Sequence, residues 1–330
     1  MHEYINNKKV LFLTTKNLDY IRNTQEIALL KENALSYHVI GSYSSSYFVR
    51  LLFVYFQLLT TRVSQYDTVM VGFAPQLILP FWYWKIKKAD IIIDFFISLY
   101  DTLCCDRKKI RTNSMPGKIL HKLDAFTLQV AEAVICDTKA HGQFFCEEFQ
   151  ASLNKMVTIY LEADASIYFP RQVKRPDYLE NKYVVLYFGS VLPLQGIDVV
   201  LRAMELLKDR KDFYFFFIGP IADEKLVALR PIADNISYID WLSQEELADY
   251  IALSDLCLAG HFNASIKKAC RTIPGKAYIY SAMGKAMILG DNAANHEIFE
   301  ADDRVSFVEM GNERALANEI MRRRERVKNL

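Results

Sequence analysis

Long apolar stretches are missing from this chain of 330 residues: no uninterrupted run reaches the roughly 18 residues needed to cross a bilayer as a helix. The first nine residues are polar and the apolar stretch at 10–14 is short, so no secretory signal is expected. An excess of one charge is also missing. Forty Lys and Arg stand against 39 Asp and Glu, a net charge of +1, which excludes a dedicated nucleic-acid binder with a strong field. The six cysteines, at 104, 105, 136, 146, 257 and 270, contain no C-x-x-C pair and read as buried, reduced thiols of a cytoplasmic protein. No D-x-D closes a strand, and no His, Cys, Asp or Glu group has metal-ligand spacing, so no metal is expected. Short-period repeats and low-complexity tracts are absent too.

What is present is a hydrophobic fraction of 52%, distributed as short apolar runs that alternate with helical patterns. That alternation predicts parallel sheets covered on both faces by helices. Strands are expected at 10–14, 37–40, 68–71, 91–94, 134–136 and 157–159, and again at 183–188, 213–218, 236–239, 256–259, 286–289 and 305–308. Helices are expected between them, for example at 24–33 and 117–130. The polar segment 169–182 holds two prolines and reads as a linker. The predicted class is α/β: two Rossmann-like, doubly wound parallel-sheet domains, 1–170 and 171–330, facing each other across a cleft. In such sheets ligands bind beyond the carboxyl ends of the strands.

Two loops in the second half carry the chemistry. Residues 271–276 read Arg-Thr-Ile-Pro-Gly-Lys and enter a helix, placing Arg271 and Lys276 where free N–H groups and the helix dipole favour phosphate. A lysine in a first helical turn opposes the dipole unless an anion is met there; the planar fork of Arg271 suits phosphate oxygens. Residues 188–196, Phe-Gly-Ser-Val-Leu-Pro-Leu-Gln-Gly, join another strand to another helix. Gly189, Ser190 and Gly196 let backbone approach a phosphate there, and Gln195 can donate to one. Two such loops in one α/β half suggest a bound diphosphate, with a nucleotide-sugar as its source. Gly260-His261 follows a strand at the same edge, and Trp241-Leu242 precedes a capping-box pattern at 243–246. A core tryptophan is the competing reading for Trp241.

In the first half, Asp94 closes a very apolar strand, an expensive place for a carboxylate without a task, and Asp101 lies seven residues on. Both are candidate cleft carboxylates, with helix capping as the alternative. His141, four residues after Asp137, is read either as part of a capping cluster or as an acceptor contact. The segment 80–88, Pro-Phe-Trp-Tyr-Trp-Lys-Ile-Lys-Lys, together with the apolar segment 47–59, suits either an ordinary core helix or contact with a membrane surface.

These motifs resemble those of the GT-B glycosyltransferases, in particular the large family 4 of retaining enzymes in its bacterial polysaccharide branch. The resemblance rests on 186–198, 217–220 and 274–285 in the second half, and on 94–102, 137–141 and 162–170 in the first. It implies an acceptor-binding first domain and a second domain that binds the donor through Gly189, Ser190, Gln195, Gly196, Gly219, Trp241, Leu242, Gly260, His261, Pro274, Gly275 and Tyr278. It implies catalytic roles for Lys276, Arg271, Asp94 and Asp101, no cofactor beyond the nucleotide-sugar co-substrate, and no metal. The final helix, 312–330, would pack back on the first domain. The implied reaction moves a sugar to a glycan or lipid-linked acceptor with retention, in the cytoplasm or on the inner face of the membrane. The sequence departs from the family pattern where two glutamates are usual: Arg271 and Ile279 occupy those places. Gln195 replaces a basic residue, and 14–19 replaces a glycine-rich loop. The departures keep alive a second reading, a degenerate GT-B domain that serves as a nucleotide- or glycan-binding partner subunit, and a third, sugar-nucleotide epimerisation.

Overall fold

A computed structural model describes residues 2–328. They form two compact units, Met1–Glu162 and Ala163–Leu330. Each is built on a six-stranded sheet whose paired strands are all parallel.

The first sheet has the order β2-β1-β3-β4-β5-β6. Its strands are β1 (Lys9–Asn17), β2 (Ser36–Ser42), β3 (Thr68–Val71), β4 (Asp90–Asp94), β5 (Ala133–Cys136) and β6 (Met156–Thr158). Its helices are α1 (His2–Ile5), α2 (Ile21–Asn33), α3 (Tyr47–Thr60), α4 (Leu79–Ile86), α5 (Met115–Val130) and α6 (Lys139–Phe149). The inner strands are Val- and Ile-rich runs buried along their length, as a sheet covered on both faces requires. One layer joins Leu11, Val69 and Ile91 to Leu79, Trp82 and Phe145; the opposite layer joins Phe12, Met70 and Ile92 to Leu30.

The second sheet has the order β12-β11-β10-β7-β8-β9. It comprises β7 (Tyr183–Phe188), β8 (Phe213–Ile218), β9 (Ile236–Ile239), β10 (Leu256–Gly260), β11 (Met287–Gly290) and β12 (Val305–Val308). Its helices are α7 (Ile197–Leu207), α8 (Glu224–Val227), α9 (Gln244–Leu253), α10 (Gly275–Ala282) and α11 (Glu313–Lys328). The chain runs outward through β7, β8 and β9, then returns to add β10 on the other side of β7. That reversal makes the β7–β10 boundary the switch point of the sheet, the edge at which open α/β sheets bind ligands beyond the strands' carboxyl ends.

One boundary expectation changes. The segment 169–182 is polar, yet it is tied into the second unit. Arg171 Nη1 donates to Asp249 (3.1 Å), Arg175 Nη2 to Asp255 (2.7 Å), and Tyr168 and Leu179 are buried. The division therefore falls after Glu162 rather than after Pro170. Within the second unit the final helix, α11, lies against α7 and β12. Leu316, Ala317 and Ile320 supply its apolar contact.

Candidate functional site

Three loops meet at the β7–β10 switch point. The loop after β7 is fastened to the loop after β10: Phe262 N–H donates to Gln195 O (3.1 Å) and Asn263 Nδ2 to Pro193 O (2.8 Å). His261 is buried, and its Nδ1 lies 3.1 Å from Thr272 O, which fastens the β10 loop to the stretch that enters α10. Burial pushes the His261 imidazole down to about 3, so it stays neutral.

Glycines let the backbones meet. A Cβ on Gly219, after β8, would lie 2.2 Å from Gly189 O. A Cβ on Gly290, ending β11, would lie 2.1 Å from His261 O. No side chain can occupy either position with the neighbouring loop in place.

Lys276 dominates this edge. It occupies the first turn of α10, whose start at Pro274 receives no side-chain cap among the described residues. The side chain is 5% exposed, and Nζ has no hydrogen-bond partner among the described residues. Nζ stands 3.8 Å from the centroid of the Tyr187 ring, and a Cβ on Gly189 would lie 3.0 Å from it. Burial holds its pKa well below that of an ordinary lysine. A buried amine beside a glycine loop, an uncapped helix start and a neutral His261 can receive an anion and take up a proton as it does so.

The other predicted donor residues fall around it. Gly196 is the N-cap of α7, and Gln195 Oε1 is buried 2.9 Å from where a Gly260 Cβ would stand. Ser190 is exposed in the loop, Gly275 faces open space, and Tyr278 is half-buried with its ring 6.5 Å from Phe299. Arg271 is half-buried just ahead of α10. Trp241 and Leu242 lie between β9 and α9, and Trp241 is 76% exposed, so it is not a core residue. The capping box read at 243–246 is formed by Ser243 and Glu246. Sequence reasoning missed Tyr187, whose ring lies under the Lys276 amine, and Gly290. The glycine closing an apolar strand was a signal for Gly290; nothing local marks Tyr187.

In the first unit the expectation for Asp94 changes. Its carboxylate is fully buried and receives Arg22 Nε (2.9 Å) and Nη2 (3.4 Å), while Arg22 Nη1 donates to Ile159 O. Arg22 and Glu26 stand one turn apart on α2, and Glu26 is fully buried as well. Burial, and next the Asp94 charge, raise Glu26 well above the ordinary carboxyl range, and neither of its carboxyl oxygens has a hydrogen-bond partner among the described residues. Asp94 thus belongs to a closed internal network and offers no open carboxylate to a substrate. Asp101 is buried behind the loop that follows β4, where its N–H donates to Ser98 Oγ (2.9 Å). That loop is organised by Asp124 of α5, a residue sequence reasoning missed. Asp124 accepts from Ser98 Oγ (2.6 Å), Tyr100 N (2.9 Å) and Gln76 Nε2 (2.8 Å). His141 is fully buried with Nδ1 2.7 Å from Asp137 Oδ1, and Thr138 caps its helix, so the capping cluster is real.

The raised Glu26 has a thermodynamic consequence. In the unfolded chain it ionises above about 4.5, whereas in the fold burial moves that ionisation well upward. Its contribution to stability is complete below that pH and is lost as pH rises toward the folded value. Glu26→Gln should therefore be more stable than the wild type at neutral pH and show a flatter stability–pH profile in urea titrations. A variant with the wild-type slope would mean that Glu26 is ionised in the fold.

Against this geometry the relatives can be placed. Residues 182–324 match the family model described as "Glycosyl transferases group 1". Among solved structures, sucrose-phosphate synthase from Thermosynechococcus elongatus aligns with a TM-score of 0.67 at 12% identity, covering 96% of this chain and 89% of that one. HepE of Anabaena in complex with UDP aligns with a TM-score of 0.63 at 14% identity, covering 96% and 90%. A glycosyltransferase from Rickettsia africae aligns with a TM-score of 0.63 at 16% identity, covering 97% and 89%. A curated relative, D-inositol 3-phosphate glycosyltransferase of Streptomyces avermitilis, is 20% identical over 211 residues, 58% of this chain. The chain spans 44% of that relative's length. Two units with six parallel strands each, aligned end to end with these structures, define the GT-B fold. Within it, the family match is confined to residues 182–324 of the second unit.

Proposed function

We propose that the chain is a glycosyltransferase that takes a sugar from a nucleoside-diphosphate-sugar and passes it to a glycan or lipid-linked acceptor, with retention. The observation that carries the reading is Lys276: a buried amine without a hydrogen-bond partner among the described residues, in the first turn of α10 and against Gly189. Charge on the leaving diphosphate would be balanced by this amine, the N–H groups opening α10 and Arg271, so that the leaving group needs no bound metal. Such groups act most strongly as the sugar–phosphate bond breaks, when negative charge on the diphosphate is greatest. Gln195 and the backbone of 189–196 would line the other side of the diphosphate.

The first donor to test is UDP-glucose, which is bound in a structure of HepE, a protein of the same fold. Thermal-shift measurements with UDP, GDP, ADP and CMP, and with sugar nucleotides of each, are expected to show one diphosphate series raising Tm and the monophosphate doing little. Diphosphates that all leave Tm unchanged would contradict the reading. Binding of UDP without turnover of any donor would favour the partner-subunit alternative, which Arg271 and Ile279 in place of carboxylates keep in view.

A further inference from the structure

We propose that the outward face of α3 and α4 in the first unit is a docking surface for an anionic lipid bilayer. Helix α3 is apolar on two sides. Val54 and Leu58 enter the core, while Phe48 (66%), Leu52 (52%), Phe56 (65%) and Leu59 (64%) stand exposed at helical spacing. Val49 and Phe53, also exposed, widen this stripe. Single exposed apolar residues are ordinary, but a stripe running the length of a helix is not.

Helix α4 extends the face. The Tyr55 ring of α3 lies 6.2 Å from Phe81 and 5.6 Å from Trp82, and Lys85 Nζ donates to Leu58 O and Leu59 O, the last carbonyls of α3. Phe81 (60% exposed) and Trp84 (66% exposed) therefore continue the apolar surface. Exposed Arg62, Lys87 and Lys88 follow the carboxyl ends of the two helices.

Charge selects the occupant. Residues 34–89 contain five Lys and Arg and one acid, Asp67, a net of +4, so the rest of a chain with net charge +1 carries −3. Asp67 is itself occupied, accepting the Lys9 N–H at 2.8 Å. A second copy of this face would bring two such positive segments together, which opposes self-association. Aromatic rings with lysines at their border instead match the headgroup layer of an anionic membrane. No helix among the described residues is long and apolar enough to cross a membrane, so contact by this face would be peripheral. Tyr47, which opens α3, lies 3.1 Å from Thr15 and 6.5 Å from the Phe73 ring, joining the stripe to the carboxyl edge of the first sheet. A lipid-anchored acceptor would reach that edge along this path. That last step rests on the transferase reading; docking does not.

The test is co-sedimentation of the full chain with phosphatidylcholine vesicles, with and without phosphatidylglycerol and without any nucleotide, so that a failure here is separate from failure of the donor site. Binding is expected to vesicles containing phosphatidylglycerol and to weaken with added salt. Leu52→Ser with Phe56→Ser, and separately Lys87→Ala with Lys88→Ala, should each lower the partition about tenfold or more with Tm unchanged, because all four side chains are exposed. Failure to bind phosphatidylglycerol vesicles, or equal binding by the variants, would overturn the proposal. So would a concentration-dependent dimer that the Leu52/Phe56 variant dissolves, since that would assign the face to a second copy.

Discussion

Lys276→Met is expected to lower turnover by about 10²–10³-fold while leaving the protein folded and at least as stable as the wild type. The two halves of this result have one cause. An amine 5% exposed, with no hydrogen-bond partner among the described residues, disfavours the fold, and a methionine of similar length removes that cost. On the proposed reading the same amine meets charge developing on a leaving diphosphate, and Arg271, half-buried ahead of α10, does not occupy its buried position against Gly189. His261 is held neutral, and Gln195 carries no charge. Progress curves with the donor identified by thermal shift, alongside urea unfolding of both proteins, measure the two effects together. A large loss of stability in Lys276→Met would mean that the lysine is a structural residue. Unchanged turnover would remove it from the chemistry.

Arg22→Ala is expected to destabilise the first unit by about 3–5 kcal/mol, the usual cost of leaving a buried carboxylate without its partner. Asp94 is fully buried, and its hydrogen bonds from Arg22 come from a residue 72 positions away in sequence. Exchanging both members for apolar groups, Arg22→Met with Asp94→Leu, should recover most of the loss, because the cost lies in the uncompensated charge rather than in the absence of the pair. Denaturant unfolding of the two single variants and the double variant forms a closed cycle. Single variants as stable as the wild type but without activity would return Asp94 to the substrate-orienting role suggested by its position at a strand end.

The strands were legible because each is a short apolar run between polar helical segments. All twelve are found, with ends that move by a few residues at most; β10, for example, extends one residue to include Gly260. Lys276 and the glycine loops were legible because a helix start and a close backbone approach impose residue types locally. The network around Asp94 was not, since nothing near it in sequence announces Arg22 and Glu26. Without them, a carboxylate at the end of a buried strand looks functional. Tyr187 was hidden for a similar reason: it sits inside an apolar strand, and its value comes from facing an amine 89 positions later, a proximity that only the β7–α10 packing creates. The boundary between the units was misplaced because composition shows that 169–182 is polar but not that Arg171 and Arg175 fasten it to Asp249 and Asp255.

The most direct test of the account is calorimetric titration of UDP into the wild type and Lys276→Met, each in two buffers of different ionisation enthalpy. Binding by the wild type is expected with net proton uptake, because burial holds the free amine well below its ordinary pKa and the diphosphate raises it. Affinity should fall as pH rises, and the variant should show neither the proton uptake nor comparable affinity. Equal affinity for UDP in both proteins, with no buffer dependence, would contradict the assignment of Lys276 to the diphosphate.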